Sequence, residues 1–439
     1  MKTKYLIIGN SAGAIGAVEA IRQIDKEGSI TIVSDEPYPV YSRPLISKFL
    51  ARERTLEGML FRSADFYEQN NITFLPGKKV RRLEMGQRIA QLDDGDQVLW
   101  DKLLLALGGK PIVPDIQGDN KEGIFTFTTL DDAKAIDNFL NNAQKAVVIG
   151  GGLIGISATE ALVKRGIEVT VVEMKERILN TIIDEQASSM AEKVIQYAGV
   201  EIITNHTVAE ITGRDTVQGV ILDNGDNITC DLVLVAIGVS PRFQLVQDTG
   251  MEINRGIVVD EHMSTNLTDV YACGDVVEAY DYIYRQKRPI PIWPSAYIGG
   301  RIAGNNMAGV ADEYAGSTPM NSLNYFGIDI ASAGMPIAPD DTYEIISKQE
   351  GDIYKKIILK DDLIIGMVFV GDIEKSGIIF GLMRNKVNIA CFKERLLSDD
   401  FGLAFLSRTI WQEQLAPPPE VIIQTALPVQ PEEESIVDE

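Results

Sequence analysis

The 439-residue chain is poor in the residues that usually carry metals or thiol chemistry, with three cysteines and two histidines. Cys230, Cys273 and Cys391 are scattered, as are His206 and His262, and no pair has zinc-finger or C-x-x-C spacing. A metal site, an iron–sulfur cluster held by the chain itself and a redox dithiol are therefore not expected. Any redox chemistry must then run on a bound organic cofactor. Positive charge is also short: 41 Lys and Arg stand against 63 Asp and Glu, a net charge of −22. Such a chain repels a phosphate backbone and an anionic bilayer, so neither nucleic acid nor membrane is expected as a partner. No run reaches about 18 uninterrupted apolar residues, so no spanning helix is predicted. Met1–Lys4 and Tyr5–Ile8 have the outline of a secretory signal, but Gly9, Asn10 and Ser11 break the apolar run. A cytoplasmic protein is expected.

What remains has the balance of an ordinary globular protein, 45% hydrophobic and 24% charged. At about 150 residues per domain, the length predicts roughly three domains. Residues 4–36 read as strand, turn, helix, strand. Tyr5–Ile8 suits a strand buried on both faces, and Gly9-Asn10-Ser11-Ala12-Gly13-Ala14 forms the turn. A helix with Ala14, Ala17, Ala20, Ile21 and Ile24 on its apolar face runs towards a stop at Gly28, before the strand Ser29–Val33. The pattern recurs with the strand Ala146–Ile149 and the turn Gly150-Gly151-Gly152-Leu153-Ile154-Gly155. A helix to Arg165, the stop Gly166 and a strand from Glu168 to Val172, ending at Glu173, complete it. Ile89–Leu92 and Gln97–Trp100 flank the turn Asp93-Asp94-Gly95-Asp96 as an antiparallel pair, and Lys360-Asp361-Asp362 marks a second hairpin. Residues 417–439 are Pro-rich and acidic with no basic residue, and are expected to be disordered.

A glycine-rich turn between strand and helix lets the backbone approach a pyrophosphate, whose charge the helix N-terminus stabilises. The acidic residue that ends the following strand accepts hydrogen bonds from a ribose. Gly150, Gly152, Gly155 and Glu173 supply every element of that pattern. Glu173 would repel a 2′-phosphate, which favours NADH over NADPH, with Lys175 and Arg177 nearby as the opposing influence. In the first turn Gly9, Ser11 and Ala14 stand at the three glycine positions, so only the first is glycine. Leu103–Leu107 followed by Gly108-Gly109 reads as a strand end that meets a dinucleotide. Val270–Asp275 sets a carboxylate on a small-residue turn, suited to a sugar hydroxyl. Non-catalytic roles are expected for His206 and His262, and Cys391 is expected to pack as a small hydrophobe. Tyr280, Tyr282 and Tyr284 alternate as a strand would, with ordinary packing as their explanation.

These pieces together resemble the two-dinucleotide-binding-domain flavoproteins, the pyridine nucleotide–disulfide oxidoreductase family. The likeness rests on both glycine turns, Asp35-Glu36-Pro37, Tyr41–Lys48, Ala236-Ile237-Gly238, Tyr271–Val276 and Trp293–Met307, and covers residues 1 to about 310. From Asn321 to Gly327 onward the chain resembles the C-terminal domain of NADH:rubredoxin reductase-like members. The resemblance implies an α/β fold with two Rossmann-like, glutathione-reductase-like domains plus a C-terminal α+β domain. FAD would occupy residues 1–113 and 241–318, NAD the inserted residues 114–240, and residues 319–416 would dimerise the protein or dock a carrier. It further implies that Gly9, Ser11, Ala12 and Gly13 contact the FAD pyrophosphate, while Asp35 and Glu36 bind the adenosine ribose. Arg43 and Lys48 would reach phosphate and flavin, Val80 the adenine, and Asp275 the ribityl chain. Ala106, Gly108, Cys273, Gly274, Ile292 and Trp293 would complete the flavin surroundings. Gly150, Gly152, Leu153, Ile154, Gly155, Glu173 and Gly238 would hold the nicotinamide nucleotide.

The chain departs from that pattern in three places. Disulfide- and peroxide-reducing members carry a cysteine near Tyr41–Leu50, whereas the first cysteine here is Cys230. The electron-transfer members pair the residue at Lys48 with a glutamate at the position of Ser157. Glu160, one turn on, is the expected substitute, and Lys48 with Glu160 is the expected catalytic pair. Leu107 stands where threonine is usual. The expected activity is NADH:acceptor oxidoreduction through FAD, with rubredoxin or ferredoxin as carrier. The alternatives are an NADH oxidase or diaphorase using oxygen or quinone-like acceptors, and a non-catalytic FAD-containing subunit of a larger complex. Arg285-Gln286-Lys287-Arg288 is a basic cluster in an acidic chain, either a collar that steers an acidic carrier or a solvated hairpin tip.

Overall fold

The computed structural model of the chain describes residues 1–406 and Arg408. The tail expected to be disordered, 417–439, lies outside the described residues, as does the end of the 319–416 segment. Three larger sheets organise the described residues. In the first, the order is Ile72–Pro76, Ile30–Ser34, Lys2–Ile8, Gln97–Leu105, Ile89–Leu92, Val80–Glu84. The strand Gln97–Leu105 was readable only as two pieces, and its two halves have different neighbours. Gln97–Leu99 pairs antiparallel with Ile89–Gln91, while Leu103–Leu105 pairs parallel with Val270–Ala272. Its burial pattern alternates through Asp101 and is then continuously buried from Leu103 to Leu105, as expected for a strand covered on one face and then on both.

The second sheet is wholly parallel, in the order Glu201–Thr204, Glu168–Glu173, Lys145–Ile149, Leu232–Val235, Ile124–Thr126. Two short crossings join the first two units. Gly109–Pro111 leaves one and Val239–Pro241 returns to it, paired antiparallel side by side. The third sheet is antiparallel, in the order Met320–Tyr325, Ile328–Gly334, Leu363–Val370, Ile353–Lys360, Glu344–Glu350. The tight turn at Asp361 and Asp362 has φ of +52° and +57°, the left-handed pair that a two-residue hairpin turn requires. One face of this sheet packs on the helix Ser376–Arg384. The other, through Tyr325, Ile330, Tyr354, Val368 and Val370, shares a core with the second unit. There the Tyr354 hydroxyl donates to Asp184 at 2.8 Å, and Lys356 lies 2.5 Å from the same oxygen.

Two other readings change. Tyr280 lies in a strand, Val277–Asp281, but Tyr282 and Tyr284 lie in the turn that follows, because the Asp281 carboxylate accepts the N–H groups of Ile283 and Tyr284 and folds the chain back. Cys391 is exposed rather than packed; it sits in an irregular segment where Ile389 takes the buried position.

The helix Ala12–Ile24 and the helix Trp293–Met307 touch backbone to backbone. A Cβ on Gly16 would come within 2.3 Å of the Tyr297 carbonyl, and one on Gly300 within 2.0 Å of the Gly13 carbonyl. Gly304 repeats the contact one turn later, 2.5 Å from the Ala17 carbonyl. Gly300→Ala should therefore force these helices apart at a cost of about 2 kcal/mol or more. Gly377→Ala, in a helix where the added Cβ meets nothing within 4 Å, should be neutral or slightly stabilising. Thermal melts of both variants check this; equal melting temperatures would contradict it.

Candidate functional site

A cleft of about 920 Å³ opens between the first two units, walled by both glycine turns. Gly9, Ser11, Ala12 and Gly13 face it from one side, and Gly150, Gly152, Leu153 and Ile154 from the other. Asp35, Glu36, Arg43, Ala106, Gly108, Glu173, Gly238, Cys273, Gly274, Asp275 and Trp293 line it as well.

The two turns are built alike. Gly9, at φ +114°, sits so that a Cβ would lie 2.1 Å from the Ala106 carbonyl oxygen; Gly150, at φ +107°, stands 2.5 Å from that of Ala236. Each first glycine thus closes on the end of its neighbouring parallel strand, where no side chain fits. Gly155 serves helix packing, since its Cβ would fall 1.9 Å from the Gly150 carbonyl. Gly152 is different. Its φ is −82°, ordinary for any residue, and a Cβ there would meet nothing within 4 Å. The fold does not need glycine at this position, and the space in front of it belongs to the cleft.

Several charged groups on the walls are already engaged. Glu36 pairs with Arg43 and accepts the Tyr41 hydroxyl at 2.5 Å, while Arg43 also donates to the Thr128 carbonyl at 3.0 Å. Asp35 pairs with Arg242 at 3.0 Å, a partner the sequence did not suggest. Glu173 accepts the N–H groups of Gly151 at 2.7 Å and Lys175 at 2.8 Å, so its carboxylate braces the turn as well as facing the cleft. Asp275 has no hydrogen-bond partner among the described residues. Burial pushes its carboxyl up to about 6, against the opposing pull of Arg43. Burial also pushes the Cys273 thiol up to about 12, which leaves it a packing residue beside Gly13 and not a nucleophile.

Five expected residues do not line the cleft. Val80 is buried in its own strand opposite Leu92, Ile292 lies behind Pro291 and Trp293, and Gly155 lies beneath its turn. Lys48 and Glu160 belong to an ionic cluster. Lys48 lies 3.2 Å from Glu53 but 3.9 Å from Glu160, and Lys164 is within 3.0 Å of both Glu53 and Glu160. The nearly buried Glu160 carboxylate also accepts the Phe326 N–H at 3.1 Å. Helices of both units and a hairpin of the third sheet therefore meet at Glu160. The Tyr325 hydroxyl, donating to the Leu153 carbonyl at 3.1 Å, ties that hairpin to the second turn. The basic cluster stands off the cleft: Lys287 donates to the Val259 carbonyl, and Arg288 stacks on Tyr284. His206 pairs with Asp223, and His262 lies against the Asp312 carbonyl.

Two strand–turn–helix units that present their glycine turns to one cleft define a protein that brings two dinucleotides together. The chain belongs to the pyridine nucleotide-disulphide oxidoreductase family, whose profile matches residues 3–300. Residues 319–387 match the rubredoxin NAD+ reductase C-terminal domain. The protein is accordingly an oxidoreductase of this flavoprotein class. It is 32% identical over 414 residues to the NADH-dependent phenylglyoxylate dehydrogenase subunit epsilon of Aromatoleum evansii, covering 93% of this chain and 98% of that one. It is 29% identical to the NADH-rubredoxin oxidoreductase of Clostridium acetobutylicum, over 84% of this chain and 92% of that one. It spans about half the length of the Bacillus subtilis nitrate and nitrite reductase relatives, 51% and 48%. Among solved structures, the NAD-dependent persulfide reductase of A. fulgidus superposes with a TM-score of 0.82 at 26% identity, over 89% of this chain and 78% of that one.

Asp275 gives a pH test. In the native chain its carboxyl holds a proton up to about 6, whereas its ordinary value is 3.8. Its contribution to stability is thus present below the ordinary value and lost as pH rises through the folded one. Asp275→Asn should raise the melting temperature of the cofactor-free protein at about pH 8, with the gain shrinking towards about pH 4. A gain that does not change with pH would contradict the assignment.

Proposed function

We propose that the protein is an FAD-dependent NADH:acceptor oxidoreductase that passes electrons to a small redox carrier such as rubredoxin or ferredoxin. In this reading FAD is held by residues 1–113 and 241–318, with its pyrophosphate against Gly9–Gly13 and its ribityl chain at Asp275. NADH is held by residues 114–240, with its pyrophosphate against the Gly150–Gly155 turn. The observation that carries the reading is Gly152, a glycine that neither backbone conformation nor packing requires, set on the wall of the shared cleft. Such a position is explained by a ligand that must approach the backbone closely. Asp275, a carboxylate on the cleft wall with no hydrogen-bond partner among the described residues, fits a sugar hydroxyl in the same way. The bound cofactors supply hydride and electron chemistry, and the chain aligns them and shields them from water. Glu173 at the end of its strand favours NADH, since a 2′-phosphate would meet a like charge there.

A second reading is supported by the relative that this chain spans almost completely, a subunit of an NADH-dependent dehydrogenase. Here the electron acceptor is a partner subunit of a stable assembly, and the same two cofactor sites operate within it. Isolation of the protein from its own cells separates the two: a stoichiometric complex supports the second reading, a lone chain the first.

Anaerobic titration of the purified protein with NADH should bleach its flavin absorbance at one equivalent, and NADPH should do so far less readily. Persistent colour with NADH would overturn the proposal. Gly152→Ala should leave the melting temperature and the FAD content unchanged but weaken NADH binding by about tenfold, read as a rise in the apparent KM. A fall in stability with unchanged KM would assign Gly152 to packing instead.

A further inference from the structure

Behind the cleft floor lies a second polar region that the proposed function leaves unused. Seven buried side-chain nitrogen or oxygen atoms lack a hydrogen-bond partner among the described residues, and four of them are together: Asp281 Oδ2, Tyr282 OH, Ser317 Oγ and Thr318 Oγ1. Backbone hydrogen bonds hold these residues side by side, from Ser317 N to the Tyr280 carbonyl and from Tyr282 N to the Ser317 carbonyl. Buried polar atoms without partners demand an explanation, and ordered water is the usual one. Asp281 is wholly buried. One of its oxygens accepts the Ile283 and Tyr284 N–H groups, while the other lies 3.8 Å from Arg288, too far for a direct hydrogen bond and suited to a bridging water. The Thr318 hydroxyl interacts with the same carboxylate and the Tyr314 hydroxyl with Ser317 and Ser295, but none of these contacts has the geometry of a full hydrogen bond at Asp281 Oδ2, Ser317 Oγ or Thr318 Oγ1, so the groups form a loose polar chain. Ser295 and Tyr314 also line a small cavity of about 10 Å³, room for about one water. Gly274 and Ala296 form part of that cavity's wall and of the main cleft's wall as well.

We propose that this region is a hydrated proton exit, leading from the cleft floor past Ser295, Tyr314 and Ser317 to Asp281, and from there past Arg288 to solvent. The proposal rests on the reading above, in which a small redox carrier takes the electrons, and it takes that carrier to accept them one at a time. The balance is NADH → NAD+ + H+ + two electrons; one-electron carriers accept the electrons, so one proton per NADH must leave the cleft, and the buried polar region behind its floor offers a route besides the mouth. Asp281 takes that proton on the oxygen that faces Arg288 and returns it to water at the Arg288 side. The charged and titratable groups that face the region are Arg288 from the same hairpin, Tyr282, Tyr314, and Arg384 from the helix Ser376–Arg384. Burial raises the proton affinity of Asp281, as a relay carboxylate needs, while the Tyr284 and Ile283 N–H groups, then Thr318 and Arg288, limit the rise.

The test uses Asp281→Asn in the full-length holoenzyme, because asparagine keeps an oxygen for the Ile283 and Tyr284 N–H groups. Flavin bleaching by NADH should match the parent. Reoxidation by ferricyanide, a one-electron acceptor, should slow by about tenfold or more, together with proton release into an indicator dye. Infrared spectra of the parent should contain a buried carboxyl band that Asp281→Asn removes. Thr318→Val should slow reoxidation in the same direction and serves should Asp281→Asn fold poorly. Bleaching with unchanged reoxidation and proton release in both variants overturns the proton exit alone. Failure of NADH to bleach the parent overturns the hydride reading and this one with it.

Discussion

The site depends on one backbone contact made twice. Gly9 closes against the carbonyl of Ala106 and Gly150 against that of Ala236, each at a φ that disfavours any side chain. Each contact fixes where a parallel strand stops, where a helix begins and which way that helix N-terminus points. In the first unit the helix then packs backbone to backbone on Trp293–Met307, which carries Trp293 and Ala296 to the cleft wall. In the second, Gly155 draws the helix Leu153–Lys164 down onto its own turn. Small residues at these points are a packing requirement, and the cleft is the space that packing leaves between the two turns.

That distinction separates glycines that build the fold from those that serve a ligand. Gly9, Gly150 and Gly155 cannot be replaced without a backbone collision, whereas Gly152 can. The sequence pattern alone treats all of them as one motif. Around them the charged groups divide in the same way. Glu36, Asp35 and Glu173 have protein partners that hold the walls in place, and Asp275 faces the cleft without one. A prearranged polar wall of this kind orients a bound cofactor without rearrangement at the moment of reaction.

Much of this was legible in the chain because it is encoded locally. Strand, glycine turn, helix and acidic strand end follow one another within each unit; the second turn starts where expected, after Ile149, but gives way to helix at Leu153, before the expected end at Gly155. What was not legible depends on residues distant in sequence. The long strand Gln97–Leu105 looked like two pieces because its halves have different neighbours. Lys48 does reach Glu160, at 3.9 Å, but Glu53, which lies closer, and Lys164, which shares both acids, were not foreseen. Arg242 reaches Asp35 across more than two hundred residues, and no spacing rule could propose it. Gly300 and Gly304 did leave a trace, two small residues one helical turn apart, but their partner helix was not identifiable. The buried polar atoms around Asp281 left none, since Tyr282 alternates with its neighbours just as a strand residue would.

The most direct test of the shared cleft is a crystal structure of the holoenzyme with NAD+ bound. The account predicts FAD with its pyrophosphate on Gly9–Gly13 and NAD+ with its pyrophosphate on the Gly150–Gly155 turn. The nicotinamide and flavin rings should then be in contact between Trp293 and Ile154. One nucleotide spanning both turns, or two whose rings are held apart by protein, would contradict it.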